Sequence, residues 1–117
     1  GAPAAEIKLF IDKTGPLWMK GGLVDKVASA FTSTGTLHGG NEATILTMLI
    51  PLMHHGMILV PPGYADPAMF AAGTPYGASS VSGGDADQGP TESDLAAARF
   101  AGKRVAEKAL VFKRGRQ

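Results

Sequence analysis

The chain contains no cysteine among its 117 residues. Disulfides, thiolate nucleophiles and metal sites built on cysteine ligands are thereby excluded. An excess of either charge is also missing: eleven Lys and Arg stand against ten Asp and Glu, for a formal net charge of +1. Binding a phosphate backbone needs a concentrated positive field. The one basic cluster, Lys113, Arg114 and Arg116, stands at the extreme end and reads as a solvated tail, so no nucleic-acid partner is expected. Histidine is scarce as well: apart from the pair His54-His55 there is only His38, and no carboxylate stands at a recognisable ligand spacing, so no metal site is expected. The longest apolar stretch, Ile45 to Pro62, is broken by His54, His55, prolines and glycine, too often for a bilayer span. With no signal-peptide pattern at the start, the expectation is a cytoplasmic protein without a membrane partner.

What is present is an ordinary globular balance, 44% hydrophobic and 18% charged, of a length that suits one domain. Gly and Pro together supply 24 of 117 residues, which makes the chain rich in loops without making it low-complexity. Ile7, Phe10 and Ile11 recur at helical spacing before the breaker Thr14-Gly15-Pro16, so residues 4–13 read as an amphipathic helix. Residues 26–32 carry small and apolar side chains on both faces and read as a buried parallel strand. A hydroxyl- and glycine-rich loop follows over 33–41, then a helix over 41–55 in which Pro51 predicts a kink. Met57-Ile58-Leu59-Val60 reads as a second buried strand. Residues 64–90 lose periodicity and form a long insertion, of a length usually functional or interface-forming. A final helix covers 91–112, with Thr91 as N-cap, Asp94 in a near capping box, and an apolar face of Leu95, Ala98, Val105, Ala106, Ala109 and Val111.

Alternation of this kind argues for an α/β layered fold with a parallel sheet. Two strands are few for such a fold and would leave open edges and an incomplete core. The chain also opens on Gly1-Ala2-Pro3 without an initiator Met. The expectation is therefore a piece of a larger α/β domain.

The strongest candidate for chemistry is Ser33-Thr34-Gly35-Thr36-Leu37-His38-Gly39-Gly40. In open α/β sheets ligands bind beyond the carboxyl ends of the strands, where glycines admit a planar ligand and hydroxyls offer hydrogen bonds. The same residues also suit a plain strand-to-helix turn. Of His54 and His55, adjacent residues pointing about 100° apart on a helix, one is expected to reach the strand-end cleft and the other to pack or meet solvent. Trp18 in its loop is either a packing anchor or a stacking platform. No Ser/His/Asp arrangement is defensible, and no side chain is assigned as a dedicated acid or base.

Taken in order, these segments resemble the WrbA-type NAD(P)H:quinone oxidoreductases, flavoproteins of the flavodoxin-like superfamily. The residues that carry the resemblance begin with Phe10 to Trp18 (FIDKTGPLW) and Phe31 to Thr36 (FTSTGT). Gly39-Gly40-Asn41-Glu42, His54-His55-Gly56-Met57, Val60 to Tyr64 (VPPGY), Gly73 to Ala78 (GTPYGA) and Ser82 to Asp85 (SGGD) follow. The match runs from about residue 4 to 112; the first six pieces in sequence are highly specific, and the seventh continues the pattern. It corresponds to the C-terminal part of the family pattern, because the family's first strand and phosphate-binding loop have no counterpart here.

The resemblance implies a flavodoxin-like three-layer parallel sheet, of which this chain is the C-terminal portion with an insertion at 64–90. It implies FMN held non-covalently, with Ser33, Thr34, Gly35, Thr36, Leu37 and His38 along the isoalloxazine, His55 beside it, and Trp18 lining the pocket shared by nicotinamide and quinone. It further implies two-electron, ping-pong reduction of quinones to quinols by NAD(P)H, in a homotetramer (a dimer of dimers) whose active site is bordered by neighbouring subunits. By itself the 117-residue chain is expected to bind FMN weakly or not at all. The rival reading is a truncated flavodoxin-like interaction or oligomerisation module without catalytic activity.

Overall fold

The computed structural model describes residues 1–115. Lys113 and Arg114 are exposed in the last turn of the final helix, and Arg116 of the same basic cluster lies outside the described residues. The elements are α1 (Ala5–Asp12), α2 (Gly15–Met19), β1 (Val27–Ala28), β2 (Thr32–Thr34), α3 (Asn41–His54), β3 (Ile58–Leu59), α4 (Ala68–Ala71), β4 (Ser79–Val81) and α5 (Glu92–Gly115). Both strand pairs among the described residues are parallel: Val27 and Ala28 lie opposite Ile58 and Leu59, and Thr32 to Thr34 lie opposite Ser79 to Val81. The chain is thus α/β in class.

The run expected as one strand over 26–32 is divided between two partners. Ile58 N–H donates to the Lys26 carbonyl and Val60 N–H to that of Ala28, both at 2.8 Å. Further along, Thr32 N–H donates to the Ala78 carbonyl at 3.1 Å, and Ser82 N–H to that of Thr34 at 2.8 Å. Between the two pairs, Gly77 lies so close to the Ala30 carbonyl that a Cβ there would sit 2.1 Å from its oxygen. Glycine is required at 77 by this close approach of backbone to backbone.

Two sequence expectations are corrected here. Ser33 and Thr34 belong to β2 rather than to the loop, and the segment 64–90 is not all loop. It contributes α4 and β4, the latter built from Ser79, Ser80 and Val81. A strand of three residues, two of them serine, carries almost no apolar alternation, so its pairing with β2 is decided in three dimensions.

The fully buried large side chains are Ile45, Met69 and Pro62. Around them the buried apolar set includes Leu49 and Val60 but is otherwise alanine: Ala28, Ala78, Ala97 and Ala101. On α5 the buried face is Ala97 and Ala101, spaced i, i+4, whereas Leu95 and Val111 of the expected face are exposed. Their small size lets the chain approach closely: a Cβ on Gly73 would meet Ala97 Cβ and Met69 Cε at 3.5 Å. The start of α5 is the expected capping box. Asp94 N–H donates to Thr91 Oγ1 at 3.1 Å, and Thr91 N–H donates to Asp94 Oδ2 at 2.8 Å. Helices α1 and α2 bury no residue, leaving Phe10, Trp18 and Met19 exposed. No described helix is long and apolar enough to cross a membrane.

Candidate functional site

Two groups of candidate residues lie at opposite ends of α3. The first is the strand-end loop. Ser33 and Thr34 end β2, and Gly35, Thr36, Leu37 and His38 beyond it are exposed. Gly40, at φ 88°, turns the chain into the helix. The hydroxyls expected to face a ligand are partly engaged within the chain. Thr34 Oγ1 donates to the Thr36 carbonyl at 2.9 Å, and Ser80 Oγ donates to Ser33 Oγ at 3.0 Å. The Thr34 carbonyl is held by Ser82 through its N–H at 2.8 Å and its Oγ at 3.3 Å. The backbone N–H groups of Gly35, Thr36, Leu37 and His38 make no hydrogen bond among the described residues. Consecutive exposed donors at the carboxyl end of a parallel strand are complementary to an acceptor-rich ligand edge. Of the two serines that brace this loop, Ser82 stands in the SGGD piece of the resembling pattern, whereas no sequence signal points to Ser80.

The second group is at the carboxyl end of α3. That end is closed by a Schellman arrangement: Gly56 N–H donates to the Met53 carbonyl at 2.9 Å, and Met57 N–H to the Leu52 carbonyl at 3.2 Å. Gly56 takes φ +73°, the left-handed conformation such a cap requires of glycine. This turn leaves His54 as the last helical residue and His55 as the cap. His55 is buried at 8% exposure, with its Nε2 2.7 Å from Thr14 Oγ1, and its buried Nδ1 has no partner among the described residues.

Beside it opens a mostly apolar cavity of about 590 Å³ bordered by Thr14, Trp18, Ile50, Pro51, His54 and His55. The volume falls within the range of small-molecule sites. Both histidines border this cavity. His55 keeps helical dihedrals (φ −73°, ψ −6°), and the two side chains differ as expected in burial, His54 exposed and His55 buried. The cavity they border is at the carboxyl end of α3 and not the strand-end cleft. Trp18 is 52% exposed, so its indole presents a face rather than anchoring a core. Trp18 and His55 are thus brought together. The residues Ser33 to His38 do not border their cavity: α3 spans 14 residues, about 20 Å at 1.5 Å per residue, between the two groups. Among the described residues no three His, Asp or Glu cluster as metal ligands.

The arrangement defines an α/β protein with an exposed loop after β2 and a mostly apolar cleft bordered by Trp18 at the other end of α3. No protein-family model matches the chain. Among curated proteins, it is 46% identical to one from Aromatoleum aromaticum named NAD(P)H dehydrogenase (quinone), over 99% of this chain and 58% of that protein. A protein of the same name from Sinorhizobium fredii is 49% identical over 91% of this chain and 56% of its own length. A third, from Trichlorobacter lovleyi, is 46% identical over 92% and 55%. The chain is a homologue of proteins bearing that name, as the sequence motifs indicate. It spans between 55 and 58% of the length of these relatives.

Proposed function

We propose that this chain forms part of an FMN-dependent NAD(P)H:quinone oxidoreductase. The observation that carries the reading is the run of uncommitted backbone donors from Gly35 to His38, in a homologue of NAD(P)H dehydrogenases (quinone). These donors suit the carbonyls and ring nitrogens of an isoalloxazine, and Gly35 lets the backbone lie close to a flat ring. Ser33 and Thr34 act one step back, their hydroxyls setting the loop rather than reaching the ligand. When bound, the flavin supplies two-electron redox chemistry between a nicotinamide and a quinone. Trp18 offers a stacking surface for a flat substrate, and the apolar wall of Ile50 and Pro51 excludes water from it.

A three-ring flavin is shorter than α3, so the loop of one chain and the Trp18–His55 wall of the same chain do not serve one ring. In our reading the loop of one copy meets the wall of another, which makes the assembled homo-oligomer the unit of catalysis. FMN titrated against the monomeric 117-residue chain is then held weakly or not at all; tight, stoichiometric uptake by the monomer refutes the arrangement. Flavin absorbance with NADH-dependent benzoquinone reduction in the assembled form supports it. A colourless, inactive assembly in excess FMN favours an interaction module instead.

A further inference from the structure

The ring of His55 is held by a contact that settles where its proton resides. Thr14 Oγ1 lies 2.6 Å from the carbonyl oxygen of Ile11 and 2.7 Å from His55 Nε2. A hydroxyl has one proton to give, and a peptide carbonyl can only accept. The proton of Thr14 therefore goes to Ile11, and the remaining short contact requires a hydrogen on Nε2, donated to the Thr14 oxygen. In the neutral ring Nδ1 is then bare. That nitrogen is buried and meets no donor among the described residues, in a side chain only 8% exposed. Buried polar atoms are normally paired, and an exception calls for an explanation.

We propose that Thr14 is the positioning residue of His55. It consumes the only N–H of the neutral imidazole, so that the ring offers the cleft no donor at Nε2 and keeps a bare, buried acceptor at Nδ1. The carboxyl end of α3 and the Thr14-Gly15-Pro16 turn, 41 residues apart in sequence, are thereby joined into one wall. What the ring touches rests on the flavoprotein reading above, whereas the tautomer does not. The consequence for chemistry is restrictive: the one hydrogen of neutral His55 is held by Thr14 and is not offered to a molecule in the cleft. The neutral ring cannot supply a proton to a quinone oxygen through Nε2.

The test uses the 117-residue chain labelled with ¹⁵N-histidine, without flavin or substrate, at a pH where imidazole is neutral. His38→Gln and His54→Gln variants assign the His55 signals. The protonated nitrogen of His55 is expected to be Nε2, with its hydrogen protected from exchange with solvent. Thr14→Ser, which keeps the hydroxyl, is expected to preserve that protection. Thr14→Val, which removes the acceptor, is expected to speed exchange by at least about tenfold. A wild-type ring protonated at Nδ1 overturns the proposal, with or without soluble variants, and so does unchanged exchange in folded Thr14→Val. Because no cofactor enters the measurement, failure of the quinone-reductase reading leaves this result standing, and the converse also holds.

Discussion

Replacing Gly77 by alanine drives a methyl group into the backbone that carries the loop at Gly35. The added Cβ would lie 2.1 Å from the Ala30 oxygen, 3.1 Å from the Ala30 carbonyl carbon and 3.1 Å from Ile45 Cδ1. Relief requires more than 1 Å of movement at the oxygen contact, given that non-bonded heavy atoms rest about 3.5 Å apart. Neither neighbour yields easily. The Ala30 carbonyl belongs to the run paired with β3 on one side and β4 on the other, and Ile45 is fully buried. Overpacking commonly costs about 1–3 kcal/mol, and a clash with backbone belongs at the upper end, about 3 kcal/mol. For a chain of this size that is on the order of a 12 °C fall in melting temperature. Urea unfolding followed by circular dichroism reads the loss, with Gly84→Ala as the control, since nothing lies within 4 Å of a Cβ there. The control should fall within about 0.5 kcal/mol of wild type or be slightly more stable. Gly77→Ala unfolding at the wild-type urea concentration would show that the divided strand is not built on this approach.

Other substitutions probe the remaining supports. Thr91→Ala removes the hydroxyl that accepts from Asp94 N–H at 3.1 Å and should cost about 1 kcal/mol by urea unfolding. No loss would mean that water satisfies the first turn of α5 equally well. Ile45→Ala empties a completely buried site and should cost about 2–5 kcal/mol, whereas Phe31→Ala, at 79% exposure, should cost less than about 0.5 kcal/mol in the monomer. Equal costs at the two positions would contradict the placement of the core on α3.

The three longer helices α1, α3 and α5 were legible because their signals are local, whereas α2, which carries Trp18, and α4 are single short turns that fall on segments read as loop. Thr91 with Asp94 announces α5, Gly56 the end of α3, and Thr14-Gly15-Pro16 the break after α1, each within a few residues of the chain. The candidate residues were legible as residue types and through the order of the motifs. Their grouping was not: His55 meets Thr14 across 41 positions, and the loop and the Trp18 cleft are separated by the length of α3. Nor did periodicity reveal β4, whose two serines and one valine pair with β2 only because Gly77 brings them beside it.

By itself the order of residues determined the α/β class, the sites where α1, α3 and α5 begin and end, the absence of thiol chemistry, and the kinship to quinone dehydrogenases. Those properties depend on contacts between near neighbours, on composition, or on motif order. Tertiary structure decided that one extended run takes two partners, that both histidines border one cleft, and which nitrogen of His55 bears the proton. Each of these depends on atoms distant in sequence brought within about 3 Å, where a single backbone oxygen or hydroxyl proton selects one arrangement over its alternatives.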